Sequence, residues 1–161
     1  MKIVRVVVVV VALIGSAIWI GSSAGKPPAQ APTLRDRMVG TWKLESRVTK
    51  GADGSMTSLK GWDGAPGYIS YTNDGYMSVQ FMQLNRTKEE GTNGYLAYFG
   101  TYTVDESTRT VSHHIIGDIN PDAVGGTQSR EVVMEGSDKM SLRLHSANSP
   151  NISINSFTRM K

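Results

Sequence analysis

From Thr41 onward the chain alternates apolar and polar residues with a period of two. The first such stretch, TWKLESRVT, puts Trp42, Leu44, Ser46 and Val48 on one face and Thr41, Lys43, Glu45, Arg47 and Thr49 on the other. Successive side chains of an extended strand point to opposite sides, so the pattern predicts a half-buried antiparallel strand with Trp42 facing inward. Turn chemistry then recurs at short intervals, in KGADGS at 50–55, WDGAPG at 62–67, NDG at 73–75, DESTR at 105–109, INPDAVG at 119–125, GSDK at 136–139 and SANSPN at 146–151. Such spacing joins strands by hairpins rather than by crossover helices. The Asp74-Gly75 pair predicts a two-residue hairpin, because it supplies the positive φ that turn requires. Thr33 is placed to cap a short helical turn ending near Gly40, and the polar stretch 87–94 has room for another.

These signals give about nine strands, and that many short strands must close or stack to remove their exposed edges. The expected fold is all-β over residues 34–161, either an antiparallel barrel or a two-layer sandwich. Closing eight or more strands leaves an interior that holds one small ligand or fills with side chains.

The first residues change the picture of where this domain works. Lys2 and Arg5 precede an apolar run from Val6 to Ile20, followed by Gly21, Ser22, Ser23 and Ala24. A basic start, a short apolar core and a small-x-small end are the layout of a secretory signal, and a membrane span needs roughly 20 apolar residues. The expectation is a signal peptide over residues 1–24, cleaved after Ala24, and an exported protein, periplasmic or secreted. The alternative is an anchor retained over residues 6–20, the one case in which a membrane is a partner. Residues 25–33, beginning GKPPAQAP, read as a proline-rich linker that cannot pair in a sheet.

Composition narrows the function classes. The formal charge of +3 falls to about +1 once Lys2 and Arg5 are removed, and no basic stripe interleaved with aromatics appears, so nucleic acid is not an expected partner. The chain has no cysteine; packing and backbone pairing must hold it together even in an oxidising compartment. Asn85-Arg86-Thr87 and Asn151-Ile152-Ser153 match the glycosylation triplet, which matters only in a eukaryotic source.

Four blocks in order carry a family likeness: LRDRMVGTWKLES with its Gly40-Thr41-Trp42 signature, GYISYTNDGYMSVQFM, AYFGTYTVDESTRTVSHHIIGD and the tail SFTRMK. In them the chain resembles the bacterial and fungal lipocalin-like domain proteins, relatives of the lipocalins in the calycin group of barrels. The resemblance implies a single antiparallel up-and-down calycin barrel of about 8–10 strands, in which Trp42 plugs the closed end and an arginine of the last strand packs across its indole. Phe157 and Arg159 share a face of that strand, which makes Arg159 the candidate partner through a cation–π contact. A shared barrel does not fix an activity.

The histidine pair in TVSHHIIGD poses a chemical question. His113 and His114 are neighbours on a strand, point to opposite faces and cannot easily share one ion. No metal and no cofactor are expected. Val111, His113 and Ile115 make the more apolar face, so His113 is placed inside. On the next strand Gln128, Arg130, Val132 and Met134 share a face, which turns Arg130 inward too. His113, Gln128 and Arg130 then form a cationic, hydrogen-bonding patch in an apolar interior, suited to a carboxylate or enolate head on a lipophilic molecule. The competing reading is structural, with Arg130 satisfied by protein groups and a neutral His113 bonded to a tyrosine.

Tyr98, Tyr102, Met77, Phe81 and Met134 complete the candidate ligand-binding set, within a wall that also draws on Tyr68, Tyr71, Val79, Val132, Leu142 and Leu144. Core packing accounts for the same residues. The leading functional reading is an exported module that binds a small hydrophobic or amphipathic molecule, anionic ones included, its open end framed by the 62–67 and 121–126 loops. The alternative is an isomerase or cyclase of natural-product metabolism, with His113 as acid or base and Arg130 stabilising negative charge. A structural envelope protein with a filled core is the third. Oligomeric state has no signal in the sequence.

Overall fold

The computed structural model describes residues 30–161; residues 1–24, expected to be a signal, and most of residues 25–33, expected to be a linker, lie outside the described residues. Residues 31–161 pack as one unit. A short helix α1 (Leu34–Met38) precedes nine strands: β1 (Gly40–Lys50), β2 (Met56–Ser58), β3 (Gly67–Tyr71), β4 (Tyr76–Met82), β5 (Tyr95–Asp105), β6 (Thr110–Asp118), β7 (Thr127–Glu135), β8 (Lys139–His145) and β9 (Ile152–Arg159). Eight of them, all but β2, pair antiparallel in sequence order, and β9 returns to pair with β1, closing a barrel. β2 is the extra strand, held on the far end of β1 through Val48 to Lys50.

Connection lengths explain half of the regular order, since the turns at 72–75, 106–109 and 136–138 are too short to do anything but place each strand beside its predecessor. The β3–β4 turn differs in detail from the two-residue hairpin. Thr72 and Tyr76 close a three-residue loop, with the Thr72 N–H donating to the Tyr76 carbonyl at 2.9 Å. Gly75 alone takes a positive φ, of 93°. This is the bulged three-residue alternative, which needs one left-handed residue instead of two.

The topology gives the barrel two unlike ends. At one end α1 crosses the opening and buries Leu34 and Met38. Thr33 caps this helix reciprocally with Asp36, and the Glu106 carboxylate, from the β5–β6 turn, accepts from the free N–H groups of Leu34 and Arg35 at 2.8 and 3.0 Å. These are the donors a helix start leaves unsatisfied. Behind it Trp42 is wholly buried, donating its indole N–H to the Met38 carbonyl at 2.8 Å. The Arg159 guanidinium carbon stands 4.1 Å from the centre of the Trp42 ring. It also donates to the carbonyls of Val39 (2.7 Å), Ser137 (2.9 Å) and Arg37. Gly40 in the Gly-Thr-Trp signature has a physical reason: its φ is 129°, and a Cβ there would lie 2.8 Å from Arg159 Nη1.

The opposite end carries the 59–66, 83–94, 119–126 and 146–151 connections, so the two loops expected to frame the mouth do lie there. The lower half of the barrel is packed solid by Met38, Trp42, Leu44, Val111, Val132 and Met140.

One strand departs from simple alternation. The β1–β9 register runs Leu44 to Phe157 and then Ser46 to Ser156, leaving Glu45 unpaired as a bulge. A bulge inserts one residue and reverses which side chains face in beyond it. Ser46 and Val48, expected inside, therefore face outward, and Arg47, expected outside, faces inward beside Asn155. Tyr68, expected in the wall, is exposed on the outer face.

Candidate functional site

Above the solid half a partly enclosed cavity of about 80 Å³ remains. Its apolar lining comes from Ile69, Phe81, Leu142 and Phe157, with Leu96 and Leu144. The polar lining is Arg47, Tyr98, His113, Gln128, Arg130, Ser153 and Asn155; two residues of the whole set are cationic and none is acidic.

Each polar group is delivered by an identifiable local device. The Glu45 bulge turns Arg47 inward. Its Nε donates to Asn155 Oδ1 at 3.2 Å, and its guanidinium lies 4.2 Å from the centre of the Trp62 ring. Stacking on an indole steadies a cation while leaving its N–H edge free for a ligand. Arg130 and Gln128, two apart on β7, share the inward face, and Arg130 Nη2 donates to Gln128 Oε1 at 2.7 Å. Its Nη1 donates to the Ser129 carbonyl at 3.0 Å. Among the described residues neither arginine has a carboxylate at salt-bridge distance. Burial first, and the field of Arg130 second, lower the pKa of Arg47.

His113 sits deeper, 1% exposed, between two phenols. Tyr71 Oη lies 2.8 Å from Nε2 and Tyr98 Oη 2.9 Å from Nδ1. Burial is the main cause that drives the His113 pKa down to about 3, with Arg130 and His114 adding to it. The ring is therefore neutral at physiological pH. Burial likewise pushes Tyr98 up to about 12 and Tyr71 well above the ordinary phenol value, so both keep their protons. His114 points outward, between Thr103 and Thr127 at 3.2 and 3.1 Å.

Of the candidate residues read from the sequence, Phe81, Tyr98, His113, Gln128 and Arg130 meet around the cavity. Tyr102, Met77 and Met134 do not line it. Tyr102 donates its hydroxyl to the Thr72 carbonyl at 2.9 Å in the β3–β4 turn. Met77 pairs beside Tyr71 and Gly100, and Met134 beside Met140; both pack toward the closed end. Sequence reasoning missed Ser153 and Asn155 of the polar lining and, with them, its second cation, Arg47. Its signal would have been the bulge, and nothing in the β1 alternation reveals one.

These features define a small closed β-barrel with a cationic cavity behind its open end. A family model described as lipocalin-like domain matches residues 39–159, and the chain belongs to that family. No curated protein matches the chain. Among solved structures it is similar to a redesigned β-barrel, at 10% identity and a TM-score of 0.45 over 83% of this chain and 100% of that one. It is also similar to a de novo designed fluorescence-activating β-barrel, at 12% identity and a TM-score of 0.43 over 81% of this chain and 100% of that one.

Proposed function

We propose that the barrel is an exported binding module that takes the anionic head of a small amphipathic molecule, a carboxylate or its equivalent, between Arg47 and Arg130. The observation that carries this reading is two inward guanidinium groups in a cavity with no acidic lining residue. An uncompensated buried charge is costly, and an anion that accepts from both arginines removes that cost through charge-assisted bonds. Size sets what enters. Pockets for drug-sized ligands run to roughly 300–1,000 Å³, whereas about 80 Å³ accommodates a head group. The rest of the guest runs out past Leu96 and Leu144 toward the mouth.

The isomerase or cyclase reading needs an imidazole nitrogen free to exchange a proton with a substrate, and both nitrogens of His113 are held by tyrosines. Export rests on the Lys2, Arg5 and Val6–Ile20 pattern, and N-terminal sequencing of the protein recovered from its host tests it, with residue 25 expected first. The binding reading is tested by calorimetric titration of the full chain with octanoate. One octanoate per chain is expected, with affinity reduced at least tenfold in Arg130→Leu, the loss of one charge-assisted bond. Equal affinity in wild type and Arg130→Leu overturns the assignment.

A further inference from the structure

The two phenols that flank His113 specify the anion site further, in an argument that rests on the binding reading above. Tyr71 is 2% exposed and does not line the cavity. Among the described residues its hydroxyl has one hydrogen-bond partner, Nε2 of His113. A buried O–H without an acceptor is penalised by its full desolvation, so Tyr71 donates and Nε2 accepts. A neutral imidazole carries a single proton, which is then on Nδ1. Nδ1–H donates to Tyr98 Oη, 2.9 Å away. Tyr98 has thus received a bond on its oxygen, and it lines the cavity; its own proton has the cavity to point into. The reverse direction, Nε2–H to Tyr71, would leave the Tyr71 proton without an acceptor.

We propose that Tyr71, His113 and Tyr98 form a one-way hydrogen-bond relay that aims the Tyr98 hydroxyl proton into the cavity. Tyr98 becomes the third donor, with Arg47 and Arg130, for a deprotonated carboxylate or another head group that only accepts. Three consequences follow from the chemistry. Each bond in the chain polarises the next, which strengthens the final donor. A depressed His113 pKa and a raised Tyr98 pKa keep both groups in the protonation states the relay needs at neutral pH. A neutral amide of the same shape is rejected, because its N–H₂ would meet donors.

The test has two arms on the full-length chain. In the first, long-range proton–nitrogen NMR of wild type labelled with ¹⁵N-histidine reads the His113 tautomer directly. A protonated Nδ1 with a bare Nε2 is expected; a protonated Nε2, or averaging between the two, overturns the relay whatever the protein binds. In the second, octanoate and octanamide are titrated into wild type and Tyr98→Phe. Octanoate binding weakened about tenfold in Tyr98→Phe, and octanamide at least tenfold weaker than octanoate in wild type, are expected for one lost or inverted bond to a charged acceptor. Octanoate affinity within about twofold of wild type in Tyr98→Phe is less than one such bond and overturns Tyr98 as a donor. Nδ1–H with no octanoate uptake by wild type refutes the anion-binding reading and with it the ligand half of this proposal, leaving the relay as a structural element.

Discussion

Replacing Arg159 with alanine is the sharpest test of how the closed end is held. The guanidinium lies over Trp42 and reaches three backbone carbonyls from three different segments: Arg37 in α1, Val39 before β1 and Ser137 in the β7–β8 turn. The bond to Ser137 is exposed, and water replaces it at little cost. The bonds to Val39 and Arg37 are part-buried and, as bonds to a charged donor, contribute about 1.5 kcal/mol each. The cation–π contact adds about 1 kcal/mol, for a loss of about 4 kcal/mol in all. At about 4 °C per kcal/mol for a unit of this size, Arg159→Ala is expected to melt about 15 °C below wild type by circular dichroism. Arg159→Lys keeps the charge but cannot fork across separated carbonyls, and it is expected to recover less than half of the loss. The stopper sits at the opposite end from the cavity, so octanoate selectivity is unchanged in both variants. A melting point for Arg159→Ala within about 3 °C of wild type, less than 1 kcal/mol, would refute the reasoning.

Further expectations concern charge, strain and acid. Arg47→Leu combined with Arg130→Leu is expected to abolish octanoate binding in calorimetry while raising the melting temperature, because two facing charges leave a partly buried cavity; a lower melting point would show that they stabilise the empty barrel. Gly40→Ala places a Cβ against Arg159 at a φ of 129° and is expected to cost about 2–3 kcal/mol in denaturant unfolding, with a loss less than additive on top of Arg159→Ala. His113 has a folded pKa of about 3, below an unfolded value of about 6.5. The unfolded chain therefore binds the extra proton first, and the His113 contribution to stability is full above pH 6.5 and lost as pH falls toward 3. The expected slope is about 1.4 kcal/mol per pH unit between pH 6 and 4.5, flattened in His113→Gln, and a wild-type stability independent of pH in that window contradicts it.

The alternation of apolar residues and the short turns made the strand count, the antiparallel order and the inward face of β7 legible, because each follows from local period and connection length. Closure was legible only in part, since many short strands can hide their edges by closing or by stacking in two layers, and the family resemblance, not the period, selected the barrel. The β3–β4 turn and the second half of β1 were not. Asp74-Gly75 is compatible with two- and three-residue loops, and the choice between them is made by the pairing of Thr72 with Tyr76. The Glu45 bulge is set by the register of β9 against β1, a tertiary relation with no sequence mark of its own. Arg47 was therefore placed outside, and half of the cationic pair was lost from view. His113 was readable as an inward residue, but its two tyrosines come from the neighbouring β5 and from β3, which is not paired with β6, and Tyr71 meets it only through the curvature of the barrel. The wall residues Met77, Tyr102 and Met134 share the inward face with cavity residues; how far down the barrel each sits, and hence whether it touches a guest, depends on strand stagger that periodicity does not report.

The central claim is tested most directly by a crystal structure of the full chain with octanoate bound. The account predicts the carboxylate inside the barrel, within hydrogen-bond distance of the guanidinium groups of Arg47 and Arg130, with the alkyl chain leaving past Leu96 and Leu144. A head group lying in solvent at the mouth, or a guest seated on the outer face of the sheet with the cavity unchanged, would contradict it.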